Sequence, residues 1–255
     1  MKFTSEITVK EIQHMGSDMA IAAAAWVSTS AEAGYQRAVD KPDDVKGVIN
    51  YLVKNRHGTP FEHGAITLYV HAPIFVWREW HRHRIGFSYN EESARYKTLE
   101  PVFYLPAEDR PMIKVDNWKP GKPKFITIAE ALEEDAKRHP IEQMMNVDTY
   151  DTLVNNLKDD YTRSYGHYLE NLAIGIDPGL ARDGLNVGIY SSCWVTANPR
   201  SLMAFLSLRH HEPTATFPSY PLYEIDQAAQ QVEEIFKDRW PITHAAFVAN
   251  GRVAP

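Results

Sequence analysis

The sequence carries a single cysteine, Cys193, which excludes an internal disulfide and a cysteine-rich zinc site. It has no long apolar run: the longest, residues 19–27, is too short to span a bilayer. The first residues lack the apolar stretch of a secretion signal. A soluble, cytoplasmic protein without membrane contact is therefore expected. Repeats, low-complexity tracts and basic excess are missing too. With 27 Lys and Arg against 33 Asp and Glu the net charge is −6, which is not the balance of a chain built to attract nucleic acid. What remains is ordinary globular composition, 44% apolar and 24% charged. Its 255 residues are enough to bury a core unaided.

Residues 18–27 read as an alanine-rich helix with Ser17 and Asp18 as cap candidates. Val45, Val48, Ile49, Leu52 and Val53 recur at helical spacing behind Asp43 and Asp44 and predict a second, amphipathic helix. Alternation of Ile66, Leu68 and Val70 predicts a strand. The dozen residues from Pro73 predict a helix ending in positive charge. The proline-rich stretch after Pro106 marks an insertion, about 107–140, rather than a linker between folds. A helix over about 149–173 carries Leu153, Leu157, Tyr161, Tyr165, Tyr168 and Leu172 on one side. A strand is expected over 187–195 and helices over 200–209 and 225–239, the latter two separated by a long loop at about 210–223. Helices with few strands and no βαβ rhythm predict an α+β fold.

Chemistry-bearing side chains crowd into residues 81–96, which hold three arginines, two histidines, two serines, an asparagine and two glutamates. A guanidinium offers five fixed N–H donors and suits phosphate, while amide and carboxylate can read a ring edge. The plain alternative is a solvated basic helix end serving the dipole. His81 and His83 are two apart and would point to different faces of a helix, so no zinc site is expected. A second cluster holds Asn198, Arg200 and Arg209 on a helix with Leu202, Phe205, Leu206 and Leu208 as its apolar face. Arg209 reads either as a cation complementing the dipole or as one aimed into a pocket. In a third cluster, Thr59 could cap a turn and Glu62 could complete a capping box.

Together these clusters resemble the flavin-dependent thymidylate synthases. That family's signature is Arg-His-Arg, seven residues, serine, then commonly Arg-Tyr. Here Arg82, His83 and Arg84 are followed by eight residues before Ser93, with Arg95 and Tyr96 after it. Residues 57–63, 72–76, 103–106, 181–182 and 198–202 also look like family blocks, in family order. The blocks spread from about residue 15 to 247, so 1–255 reads as one domain of mixed helices and a small antiparallel-containing sheet.

The resemblance implies a homotetramer with sites at subunit junctions, bound FAD, and dUMP as methyl acceptor. Methylenetetrahydrofolate would donate the carbon and NADPH would reduce the flavin. No cysteine nucleophile is implied, and no metal. Carried over by position, Ser28, His57, Thr59, Glu62, Arg82, His83, Arg84, Asn90, Glu91, Asn198 and Arg200 would hold FAD. Glu79, Arg82, Glu91, Glu92, Ser93, Ala94, Arg95, Arg182 and Arg209 would hold dUMP, with Arg209 polarising the uracil ring as the catalytic group. Ala204 stands where the family commonly has a polar residue, and Pro213 where it usually has a histidine; His210 and His211 are the nearby substitutes. A reading from another class is a catalytically silent nucleotide- or RNA-binding module using residues 82–95.

Overall fold

The computed structural model describes residues 1–115, 119, 124–138 and 149–255. The chain begins with β1 (Lys2–Thr4), β2 (Thr8–Met15), α1 (Asp18–Ser30), α2 (Gly34–Asp40) and α3 (Pro42–Lys54). Next come β3 (Ala65–Pro73), α4 (Ile74–Trp80), β4 (Phe87–Glu91), β5 (Val102–Tyr104), β6 (Ile113–Lys114), β7 (Phe125–Ile126) and α5 (Ile128–Arg138). The remainder holds α6 (Thr149–Ala173), α7 (Pro178–Ala181), β8 (Tyr190–Ala197), α8 (Pro199–Arg209), α9 (Tyr223–Arg239) and α10 (Pro241–Ala249). The architecture is mixed α and β, as expected. Among the described residues no helix is long and apolar enough to cross a membrane.

The chain divides into two compact units, one made of Met1–Glu6, Pro73–Phe75 and Glu92–Ser191, the other of Ile7–Ala72, Val76–Glu91 and Ser192–Pro255. The second unit contains a four-stranded sheet in the order β2-β3-β8-β4, with β2 antiparallel to β3 and β4 antiparallel to β8. Strand side chains alternate between faces. Leu68, Val70, Cys193 and Val195 are buried, while Thr67 bonds Thr196 and Tyr69 bonds Ser192 across neighbouring strands, each at 2.9 Å. In α1, Ser17 accepts from the Ala20 amide and the helix buries Ile21, Ala22 and Trp26. Phe205 of α8 stacks on Trp80 of α4 at 4.7 Å, both fully buried. That contact joins the helix ends carrying Arg209 and Glu79.

The first unit is organised by α6. Tyr161, Tyr165 and Tyr168 form its core with Phe103, Ala94, Leu99, Ala181 and Ile189. The Tyr165 hydroxyl donates to the Leu99 carbonyl at 2.7 Å, and the Leu99 amide donates to the Tyr168 oxygen at 3.3 Å. These bonds anchor the chain shortly after Ser93, Ala94 and Arg95. The helix over 149–173 stands as expected because its aromatic period is unbroken.

Other expectations change. The helix from Pro73 ends at Trp80, and Pro73 closes β3 instead. The Trp80 carbonyl accepts from the His83 amide at 2.9 Å, closing the helix in a turn, and the Tyr89 hydroxyl holds that turn by donating chiefly to the His83 carbonyl at 2.6 Å, with the Trp80 carbonyl 3.2 Å away. The basic run therefore lies just beyond the C-terminal end of the helix. The strand expected over 187–195 begins at Tyr190, because the carbonyls of Val187 and Ile189 accept from Phe75 and Ile74 amides. Of the insertion at about 107–140, the described part contains the β6–β7 pair and α5, and residues 116–118, 120–123 and 139–140 lie outside the described residues.

Truncating Phe205 to Ala should cost about 3–5 kcal/mol, since it removes a fully buried ring from between Trp80 and His83. Urea denaturation measures it, and a loss under 1 kcal/mol would contradict the role given to this stack.

Candidate active site

The second unit brings three of the expected residues into direct contact. Asn198 caps α8, its side chain accepting from the Ser201 amide at 2.8 Å, and Pro199 fills the first turn. Eleven residues later the helix ends at Arg209. The Arg209 Nη1 donates to Glu79 Oε2 at 2.5 Å and its Nε donates to His83 Nε2 at 3.0 Å. Glu79 comes from α4, and His83 from the turn after it. The Arg209 side chain is 16% exposed and that of Glu79 37%, so the cation is largely shielded while its carboxylate stays partly open to solvent.

His83 must be neutral at Nε2 to accept this bond. Burial, and then the Arg209 charge, push its ring down to about 4. Phe205 lies edge-on to it at 5.0 Å. Arg209 is thus fixed by one charged and one neutral acceptor, leaving three of its five N–H donors for another group. A guanidinium held in this way can stabilise negative charge on a ring without reorganising.

Around α8 a second set assembles. Arg200 donates from Nη1 to Glu62 Oε1 at 2.6 Å and from Nε to the Pro255 carbonyl at 2.8 Å. It lies flat over Gly58, where a Cβ would come 2.4 Å from Nε. Only glycine leaves that approach open. The capping box expected between Thr59 and Glu62 does not form, because Glu62 is engaged by Arg200. His57 stacks on Tyr51 at 5.8 Å, and Ser28 donates to the Ala25 carbonyl within α1. Thr59 is exposed at the start of its turn. Asn90 pairs opposite Trp194 and Glu91 opposite Cys193 in the β4–β8 ladder. Arg82 and Arg84 are exposed and, among the described residues, their side chains make no hydrogen bond or ion pair. Two unneutralised guanidiniums, with Arg200 over Gly58 as a third donor and Glu62 as an acceptor, fit the pyrophosphate and ring edge of FAD.

The first unit holds the rest. Glu92 is ion-paired with Lys97 at 2.7 Å. The Ser93 Oγ accepts from the Arg95 amide at 3.3 Å, a local turn bond, and Ala94 is buried. Arg95 lies over the Tyr96 ring and against Gly179 of α7, the helix that Arg182 follows. Arg182 is exposed with no partner among the described residues. A cavity of about 180 Å³ is lined by Ala94, Arg95, Tyr96, Lys97, Tyr168 and Pro178. Two arginines and a serine turn are chemistry for a phosphate.

Sequence reasoning missed Tyr89, whose hydroxyl sets the turn that presents His83. It also missed a buried cluster centred on Glu233. That carboxylate accepts from Arg252, His210 and His244. Burial alone would raise it, but these three hydrogen bonds and the Arg252 charge hold it well below the usual carboxylate range. His210 and His211, the candidate substitutes at the flavin, are both otherwise engaged: His210 by Glu233, His211 by the Ser219 carbonyl at 2.6 Å.

The His83 shift has a consequence for stability. The folded ring takes its proton near 4 and the unfolded one near 6.5, so between these values the unfolded state binds more protons. Stability should therefore fall as pH drops from 6.5 to 4, and His83→Gln should remove part of that slope. Denaturant titrations across this range check it, and identical slopes in the two proteins would contradict a buried neutral ring.

Known proteins resemble this chain over nearly its whole length. The family model described as "Thymidylate synthase complementing protein" matches residues 11–242. A "Flavin-dependent thymidylate synthase" of Streptomyces avermitilis is 42% identical over 253 residues, covering 99% of this chain and 95% of its own. One from Tropheryma whipplei is also 42% identical, with 99% and 97% covered. Among solved structures, a UMP/dUMP methylase, PolB from Streptomyces cacaoi bound with 5-Br dUMP, is similar at TM-score 0.86 and 36% identity, all of both chains being covered. This chain belongs to the flavin-dependent thymidylate synthase family.

Proposed function

We propose that the chain converts dUMP to dTMP, with methylenetetrahydrofolate, NADPH and a proton consumed and tetrahydrofolate and NADP⁺ released. The observation that carries this is the Arg209 guanidinium, oriented by Glu79 and His83 with donors to spare. Stabilising negative charge on the pyrimidine makes its C5–C6 bond more reactive, and a preorganised cation does so at no cost in reorganisation. Cys193 supports the same route from the other side. Its thiol is buried and pushed up to about 12, chiefly by that burial, so it is no nucleophile at neutral pH.

FAD, when bound, supplies the hydride that completes the methyl group. Arg82, Arg84, Arg200 and Glu62 would hold it, with His57, Thr59, Ser28, Asn90, Glu91 and Asn198 contributing and His83 serving both flavin and Arg209. For dUMP, Ser93, Ala94, Arg95 and Arg182 would take the phosphate and sugar, with Glu92 beside them. Arg209, Arg82 and Glu79 would face the base.

A cytoplasmic homotetramer with sites at subunit junctions belongs to the same reading. Ile85 is 91% and Tyr96 83% exposed within the motif itself. Two large apolar side chains left open beside the polar residues of a site are what a neighbouring subunit would cover. The family model runs through both compact units, which supports reading 1–255 as one domain with insertions. The silent nucleotide- or RNA-binding module loses to this reading, because it gives an oriented Arg209 no task.

Purified protein should carry FAD and oxidise NADPH in a dUMP-dependent way when the folate donor is present, and UMP should be run beside dUMP as competitor and substrate. Arg209→Ala should lose about 10²-fold or more in turnover while FAD stays bound. A colourless protein that takes up no FAD would overturn the proposal, and unchanged turnover in the variant would remove the role of Arg209.

A further inference from the structure

Arg209 is the last residue of α8, and helix ends fray unless something holds them. Here the holding comes from the final residues of the chain. After α10 the backbone turns through Gly251 and Arg252, both left-handed, with φ of 74° and 57°. A side-chain-bearing residue seldom takes that conformation. Arg252 keeps it because it is bonded at every point. Its amide donates to the Phe247 carbonyl at 2.9 Å. Its carbonyl lies 2.7 Å from Ser207 Oγ, on the last turn of α8, and shares that hydroxyl's one proton with the Met203 carbonyl at 2.8 Å. Its guanidinium, 6% exposed, clasps both oxygens of Glu233 at 2.7 and 2.5 Å.

Glu233 in turn bonds His210, the residue next to Arg209. His244 of α10 occupies the same carboxylate at 2.8 Å, and Glu212 faces Arg252 and His210 from the following loop. Ser219 Oγ adds a bond to the His210 carbonyl at 3.1 Å. The end of α8 is therefore strapped on one side by Ser207 and on the other by His210, and both straps meet at Arg252. Glu79 and His83 orient the guanidinium of Arg209; nothing in that pair fixes its backbone.

We propose that Arg252 is a positioning residue for Arg209: by clasping Glu233 and accepting from Ser207 it sets where α8 ends, and so where the guanidinium meets the pyrimidine. This rests on the function proposed above. It goes further in placing a determinant of turnover at a C-terminal residue to which neither ligand is assigned. A misplacement of about 1 Å in an oriented group is enough to cost about 10²-fold in rate.

The experiment compares FAD-loaded wild type, Arg252→Met, Arg252→Lys and, as control, Gln231→Ala. Gln231 sits on α9 like Glu233 but bonds Val9 and Ile7, so its loss loosens the same helix elsewhere. Arg252→Met should speed amide exchange in residues 207–211 at least tenfold. It should lower kcat at least tenfold with KM for dUMP changed less and FAD content unchanged. Arg252→Lys should recover part of both, and Gln231→Ala should lower Tm with kcat within twofold of wild type. If the lone Glu233 charge prevents Arg252→Met from folding, the paired Arg252→Met, Glu233→Gln variant carries the same expectations. Unchanged exchange overturns the strap whatever the activity. Faster exchange with kcat retained, or an equal kcat loss in Gln231→Ala, overturns the positioning role. A wild type without dUMP-dependent turnover would instead bring down the functional reading, and the exchange data would show that failure to be separate.

Discussion

A charged guanidinium inside a partly buried site must be both neutralised and aimed, and the organisation of the second unit follows from how Arg209 meets those two demands. Glu79 neutralises it and His83 aims it, and neither could do both. A second carboxylate in place of His83 would leave excess negative charge, whereas a protonated histidine would repel. The site resolves this by burying the imidazole against Phe205, so that it stays neutral through the physiological range. Everything that seats that ring becomes part of the chemistry: the Trp80–Phe205 stack beneath it, the Tyr89 hydroxyl that holds the turn after α4, and the turn itself, which delivers His83 three residues after the helix.

The same constraint explains the arginines left without partners. Arg82 and Arg84 flank His83 in sequence yet form no ion pair among the described residues, whereas Arg209 and Arg200 are paired. Paired arginines are fixed in geometry and ready to orient a reacting ring. Unpaired, exposed ones are suited to recruit an anion, since their charge is uncompensated until the ligand arrives. A chain with a net charge of −6 thus concentrates positive potential at the two ends of one motif.

Much of this was legible in the sequence where the signal is local. The long helix α6 announced itself by the spacing of Tyr161, Tyr165 and Tyr168, and α8 was expected over 200–209, one residue short of its start at Pro199. The Arg-His-Arg run and the blocks around it carried the family. What was not legible depends on contacts far apart in the chain. The turn after α4 is held by Tyr89, six residues on from His83, through a hydroxyl that no periodicity displays. Glu79 and Arg209 are 130 residues apart, so their pairing has no sequence signature. Glu62 has the right spacing for a capping box and loses it to Arg200, 138 residues away. The Glu233 cluster was missed because its members are scattered over α9, α10, the residue after α8 and the tail, with no local pattern to join them.

On the function proposed above, these side chains do not merely hold a nucleotide but activate its ring. Replacement of the hydrogen on C5 of dUMP is the event that separates the two. The direct measurement is release of tritium to solvent from dUMP tritiated at C5, by the FAD-loaded protein with methylenetetrahydrofolate and NADPH. The account predicts release in step with dTMP formation. A protein that binds FAD and dUMP yet leaves the C5 tritium in place would contradict it.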